Sequence, residues 1–337
     1  MRKIKIFITG IAGALGSQLA GEFLERGHTV EGCDIKRRHE AHKLDDIMED
    51  IKYIWSGQED LKDKHFMGVD VVVPAAAVAD RPLGISSPIH TFQTNVMSYL
   101  HLLETLRGFA NPPLILYPSS GTILATRNYD KLPTDEFAQP TPNNPYSASK
   151  YFAEELTRTY HRCFDYPVVV LRSGMVLGPK MRTDISICNW MIEAIKDHEI
   201  FVYSPKATRT PTYITDVADA WIKVIEQYRQ IEEDVTGKRW RKEDTVVGKT
   251  FHTVYPKEYS VIDMARTVHA VVSQDLPYEV DLIQGKYEKG EKVGGRPVRE
   301  KIVNDFTRDF LDWEPEVPFR EAVIKTWRWV KSEYSGD

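Results

Sequence analysis

A tyrosine stands four positions before a lysine in Pro145-Tyr146-Ser147-Ala148-Ser149-Lys150, and on a helix that spacing puts both side chains on one face. A phenol ordinarily gives up its proton near pH 10, too high for a base at neutral pH. A neighbouring ammonium, and the positive nicotinamide of an oxidised dinucleotide, favour the phenolate and lower that value. Lys150 also has the reach to hydrogen-bond a nicotinamide ribose. Tyr117-Pro118-Ser119-Ser120 closes an apolar strand and brings hydroxyls that can hold a substrate oxygen. Exposed helices often carry a tyrosine and a lysine at this spacing, so the pair gains meaning only from what surrounds it.

The first such surrounding is Gly10-Ile11-Ala12-Gly13-Ala14-Leu15-Gly16, directly after a strand and at the start of a helix. A pyrophosphate lying against backbone needs a tight turn and close helix–strand packing, and the helix points its amides and positive dipole end at the phosphates. The expected cofactor contacts here are Gly10, Ala12, Gly13, Ala14, Leu15 and Gly16; the competing reading is a flexible turn. Asp34 closes the second strand, where a carboxylate accepts from the adenosine ribose hydroxyls and repels a 2′-phosphate. That favours NAD over NADP, although the basic run Lys36-Arg37-Arg38 pulls the other way.

Positioning these groups requires alternating strands and helices. Strands are expected at 4–9, 29–34, 69–73, 113–118 and 167–172, and helices at 15–26, 90–107 and 146–163. Such alternation implies a parallel sheet covered by helices on both faces, an α/β fold. Beyond it, helices are expected at 186–196, 215–228, 260–272 and 318–334, with charged loops at 227–247 and 285–297. Hydrophobic residues make up 42% of the 337 and charged residues 28%, enough apolar material for a core. The net charge of -5 argues against nucleic acid as a partner. Cys33, Cys163 and Cys188 form no metal-spaced pair, and His161, His252 and His269 lack acidic or cysteine partners, so no metal site is expected. Trp313, Trp327 and Trp329 read as packing residues, and Cys33 as a buried thiol. No run approaches the roughly 20 apolar residues of a membrane span, and the chain reads as soluble and cytoplasmic.

With these motifs in place, the sequence resembles the extended short-chain dehydrogenases/reductases over nearly its whole length, especially their nucleotide-sugar epimerase and dehydratase branch. Gly10, Gly13 and Gly16 match the family's glycine motif, Asp34 its ribose-binding acid, and Ala75-Ala76-Ala77 its small-residue turn. Asn95 matches its helix asparagine, and Ser120, Tyr146 and Lys150 its catalytic set. Leu171-Arg172 through Gly178-Pro179, Arg209 with Tyr213 through Ala218, and Arg296-Pro297 resemble later segments of the family. The resemblance implies a Rossmann-type doubly wound sheet (residues 1–174 and 210–255) and a smaller C-terminal lobe (175–209 and 256–337). It implies cofactor contacts from Ala75, Ala76, Ala77 and Asn95. A nucleotide-diphosphate sugar would bind between the two parts, touched by Ser120, Thr122, Tyr146 and Met175, with Arg209 and Arg296 on the diphosphate; either arginine could instead be a surface residue. It further implies a homodimer paired through helices 90–107 and 146–163.

Departures narrow the activity. Gly121-Thr122 follows Ser120 where the dehydratases carry Asp-Glu, which counts against dehydration and decarboxylation. Met175 replaces a substrate-touching asparagine, and Pro74 and Ala79 replace a histidine and a polar residue. The leading expectation is an NAD-dependent epimerase acting at the 4-position of a UDP-hexose or UDP-hexuronate. A net dehydrogenase or reductase is the enzymatic alternative, and a non-catalytic dinucleotide sensor the alternative of another class.

Overall fold

The computed structural model describes residues 3–124, 132–233, 245–285 and 299–335, with the side chains of 230–233 outside the described set. Arg296 and nearly all of the expected loop at 285–297 therefore lie outside the described residues. Seven strands, β1 (Lys5–Thr9), β2 (Thr29–Asp34), β3 (Lys52–Trp55), β4 (Val71–Pro74), β5 (Leu114–Ser120), β6 (Val168–Ser173) and β11 (Thr250–Thr253), form one sheet in the order β11-β6-β5-β4-β1-β2-β3. Every pairing in it is parallel. The order turns back between β1 and β4, so the C-terminal ends of these strands diverge into a crevice, the place where α/β sheets bind ligands.

Alternation along each strand sends neighbouring side chains to opposite faces. Ile6 and Ile8 point into one core with Leu19 and Phe23 of α1 (Ala14–Glu25); Phe7 points into the other with Tyr99, Leu102 and Leu106 of α4 (Ser98–Arg107). Both faces are thus buried, which is why these strands read as unbroken apolar runs. The first core runs on without a break into Trp190 and Met191 of α6 (Ser186–Lys196), Val268 of α8 (Val261–Val272) and Val323 and Trp327 of α10 (Phe319–Tyr334). Trp313 is buried as well, so the C-terminal tryptophans serve packing.

α5 (Pro145–Phe164) carries the tyrosine and lysine, and its start is sharply defined. The Asn144 side chain accepts from the Ser147 amide at 2.9 Å, Ser147 Oγ accepts from the Asn144 amide at 3.2 Å, and Pro145 occupies the first turn where no amide is needed. Two short helices, α2 (Arg81–Ser86) and α3 (Pro88–Phe92), follow β4. The helix expected at 90–107 is α3 and α4 joined by a wide π turn at Gln93–Met97.

Several expectations need correction. The stretch 227–247 is not a loop throughout: α7 (Ile214–Glu233) runs through its first seven residues, and Val246 is fully buried. β3 and β11 were not foreseen, nor were the small strand pairs outside the main sheet. These join β7 (Met175–Leu177) to β10 (Pro211–Tyr213), β9 (Thr208–Arg209) to β12 (Tyr259–Ser260), and β8 (Glu199–Val202) to β13 (Asp281–Gln284). A further short helix, α9 (Asp305–Leu311), packs beside β11. Such short segments carry too few residues for a period to show.

Candidate active site

One cleft of about 460 Å³ opens at the C-terminal ends of β1, β4, β5 and β6. Gly10, Gly13, Ala14, Leu15, Gly16, Ala75 and Ala77 line one part of it; Ser120, Thr122, Tyr146, Lys150, Met175 and Arg209 are among the residues that line another. Residues as far apart as Gly10 and Glu300 are therefore gathered in one space. Ala12, Asp34, Ala76 and Asn95 stand behind this lining rather than on it.

The glycine loop has the shape a dinucleotide requires. Gly10 sits at φ +65°, and a Cβ there would come within 2.6 Å of Ala76 Cα. The loop closes on itself by the Gly13 amide donating to Gly10 O at 2.9 Å. Asp34 accepts one backbone N–H on each oxygen, from Ala12 and from Lys36, both at 3.0 Å, leaving lone pairs for ribose hydroxyls. The two arginines of the basic run beyond it are engaged elsewhere: Arg37 lies 5.2 Å over the Trp55 ring, and Arg38 is paired with Glu49. These residues fit NAD better than a 2′-phosphorylated dinucleotide. Burial pushes the Cys33 thiol beside them up to about 12, so it is no nucleophile.

Asn95 acts one step back. Its Oδ1 accepts from Val78 N at 2.7 Å, and its Nδ2 donates to Val78 O at 3.0 Å and Ser149 Oγ at 2.8 Å. The π turn aims this amide so that it ties the alanine turn after β4 to the catalytic helix, a common use of such turns.

Ser120 Oγ accepts from Thr122 Oγ1 at 3.0 Å and shares a hydrogen bond with Tyr146. Lys150 is 6% exposed, and its Nζ lies 4.6 Å over the Tyr117 ring rather than against the Tyr146 phenol. Burial pushes the Lys150 ammonium down to about 7, with the Glu154 charge pulling back upward. Burial likewise pushes the Tyr146 phenol above its ordinary value, against the Ser120 hydrogen bond and the charges of Arg81 and Arg182. The expectation that Lys150 lowers this phenol therefore meets a stronger opposing effect, desolvation.

Arg81 and Arg182 are the site residues that sequence reasoning missed. Both line the cleft, where Arg182 donates to Ala79 O, to Asp80 Oδ2 at 3.2 Å and to Asp184 Oδ1 at 2.8 Å. Asp80 in turn caps α2 by accepting from the Leu83 amide at 2.6 Å. The only sequence signal was a charged pair, Asp80-Arg81, within an otherwise small and apolar turn. Glu300 also reaches the cleft and Gln18 braces it, donating to Pro179 O at 2.7 Å. Gly121 has a steric reason besides a chemical one, since a Cβ there would stand 2.5 Å from Ile302 Cδ1.

Known proteins share this fold. A family model described as the NAD dependent epimerase/dehydratase family matches residues 6–239. A putative UDP-glucose 4-epimerase of Methanocaldococcus jannaschii is 24% identical over 97% of this chain and 98% of its own length. A UDP-glucuronate 4-epimerase of Thermodesulfobacterium geofontis is also 24% identical, over 96% of this chain and 95% of its own. Among solved structures, UDP-glucuronic acid 4-epimerase from Bacillus cereus, in complex with UDP-glucuronic acid and NAD, superposes with a TM-score of 0.82. It is 20% identical and covers 98% of this chain and 100% of its own.

Proposed function

The chain belongs to the NAD dependent epimerase/dehydratase family, NAD is its cofactor, and we propose that it epimerises C4 of a UDP-hexose or UDP-hexuronate. The observation that carries the proposal is the meeting of Ser120, Tyr146 and Lys150 with the glycine loop in one cleft. NAD, when bound, accepts and returns a hydride at the sugar carbon. Tyr146, as the phenolate, takes the proton from the 4-hydroxyl and later gives it back, Ser120 Oγ holds the same oxygen, the charges of Arg81 and Arg182 favour the phenolate, and Lys150 would reach the nicotinamide ribose. Gly121 leaves no carboxyl beside Ser120 to eliminate water, which favours epimerisation over the family's dehydratases. Arg209 on the cleft wall suits the substrate diphosphate, and Arg81 and Arg182 near Tyr146 suit a hexuronate carboxylate. The protein would work as a homodimer through the outer faces of α3, α4 and α5.

The experiment is incubation of the NAD-loaded protein with UDP-glucose and with UDP-glucuronate, following the C4 epimer by NMR and NADH by absorbance. Interconversion with no net NADH is expected, and Tyr146→Phe should lower kcat by about 10²–10⁴ with the fold intact. Stoichiometric NADH would instead establish a net dehydrogenase. Absence of turnover of any nucleotide sugar, with ligand responses untouched by Tyr146→Phe, would leave a dinucleotide sensor.

A further inference from the structure

Behind the proton-transfer set lies a buried polar network that the chemistry above does not use. Glu154 is fully buried on α5, one helical turn after Lys150. Its Oε2 accepts from the Ser119 hydroxyl at 2.5 Å, and Ser119 immediately precedes Ser120 at the end of β5. Arg172 of β6, 1% exposed, grips the same carboxylate through Nε at 3.2 Å and Nη2 at 2.7 Å. Arg158 Nη2 stands 2.6 Å from Oε1. A single carboxylate thus joins the strand of Ser120, the helix of Tyr146 and Lys150, and the neighbouring strand. Stability alone does not explain it, because volume-matched apolar residues serve a core as well as a buried ion pair.

We propose that Glu154 is a positioning residue for the proton transfer, holding Ser120 against Tyr146 through Ser119 and setting the charge that Lys150 meets inside the protein. The inference rests on Ser120, Tyr146 and Lys150 being the proton-transfer set. Burial opposes the Glu154 carboxylate, but Arg172, then Arg158 and Ser119, hold it below the ordinary carboxylate range, so it is ionised. The other groups around Lys150 do not replace it. The Tyr117 ring of β5 is neutral, and burial favours the neutral form of the Tyr146 phenol on its own helix. Arg172 of β6 and Arg158 are cations bound to Glu154 itself. His252 of β11, 3.5 Å from Arg172 Nη1, is pushed down to about 3 by burial and then by the Arg172 charge, so it is uncharged at neutral pH.

The test uses Glu154→Gln and Ser119→Ala, each read two ways: by kcat and KM of the NAD-loaded enzyme, and by the pH dependence of Lys150 acylation followed by peptide mass spectrometry. Native acylation should have its midpoint near the value of about 7 set by burial. In Glu154→Gln the midpoint should move down and the alkaline limb of kcat/KM should move with it; a native midpoint overturns the proposal. In Ser119→Ala, which keeps the carboxylate, the midpoint should stay while kcat falls about tenfold at constant KM. A native kcat in Ser119→Ala overturns it too, and that variant decides alone if Glu154→Gln does not fold. Failure of the underlying reading would look different, as a Tyr146→Phe enzyme that keeps its kcat.

Discussion

Lys150 is required to carry a charge at a place where burial opposes one. Its folded value of about 7 lies below the ordinary lysine value of 10.5, so between these pH values the unfolded chain holds a proton that the folded chain lacks. Stability from this residue therefore rises with pH from about 7 to 10.5, and at lower pH the full cost of the buried ammonium is felt. Lys150→Met should remove that cost. We expect an inactive protein whose Tm exceeds the parent's by about 2–4 °C at pH 7, with the gain shrinking towards pH 10. Thermal unfolding of both proteins across that range checks it, and a lower Tm at pH 7 would show that Lys150 stabilises the fold. His252 acts with the same sign in a lower pH window. Its folded value of about 3 lies below 6.5, so the stability it contributes is present above pH 6.5 and lost as pH falls towards 3.

Among the elements, α2 fits closely against the catalytic helix and has little hold of its own. It spans six residues, and Gly84 is its single buried residue. A Cβ at Gly84 would meet Tyr146 Cβ at 3.1 Å and Tyr146 N at 3.3 Å, so Gly84→Ala must push α2 and Arg81 a few tenths of an ångström from the catalytic helix. A fall in kcat/KM of about tenfold is expected with Tm nearly unchanged, measured by steady-state kinetics and calorimetry. Unaltered kinetics would show that α2 yields without cost to catalysis. The long elements of this site were legible before any coordinates, because their signals are local. The spacing of Tyr146 and Lys150 announces α5, and the apolar runs announce β1, β2, β5 and β6. Asp34 and Ser120 could be placed because each closes such a run. The edge strand β3, with Lys52 and Trp55 exposed, has no comparable period, and β7, β9 and β10 are two or three residues long. Arg182 was illegible for a further reason: its partners Ala79 and Asp80 lie 103 and 102 positions away, and only the fold brings them together.

At the scale of the whole molecule, the outer surface of α3, α4 and α5 is an exposed apolar face among the described residues. These helices already cover one face of the sheet with Tyr99, Leu102, Leu103, Ala153 and Tyr160, yet they also turn apolar side chains outward. Ile89 is 75% exposed, Phe152 58% and Met97 49%, and Phe92 meets Phe152 edge-on at 5.7 Å. A row of this kind fits a second copy of the same surface, since a two-fold axis makes one patch its own complement. The dimer would then back the helix that bears Tyr146 and Lys150, so association and catalysis should weaken together. Phe152→Glu places a charge in the row without touching the cleft. The parent should sediment at twice the single-chain mass of 38.7 kDa and the variant at that mass, with reduced kcat. A parent that sediments as 38.7 kDa at every concentration would refute the dimer, and the exposed row would then be an apolar face borne by a monomer.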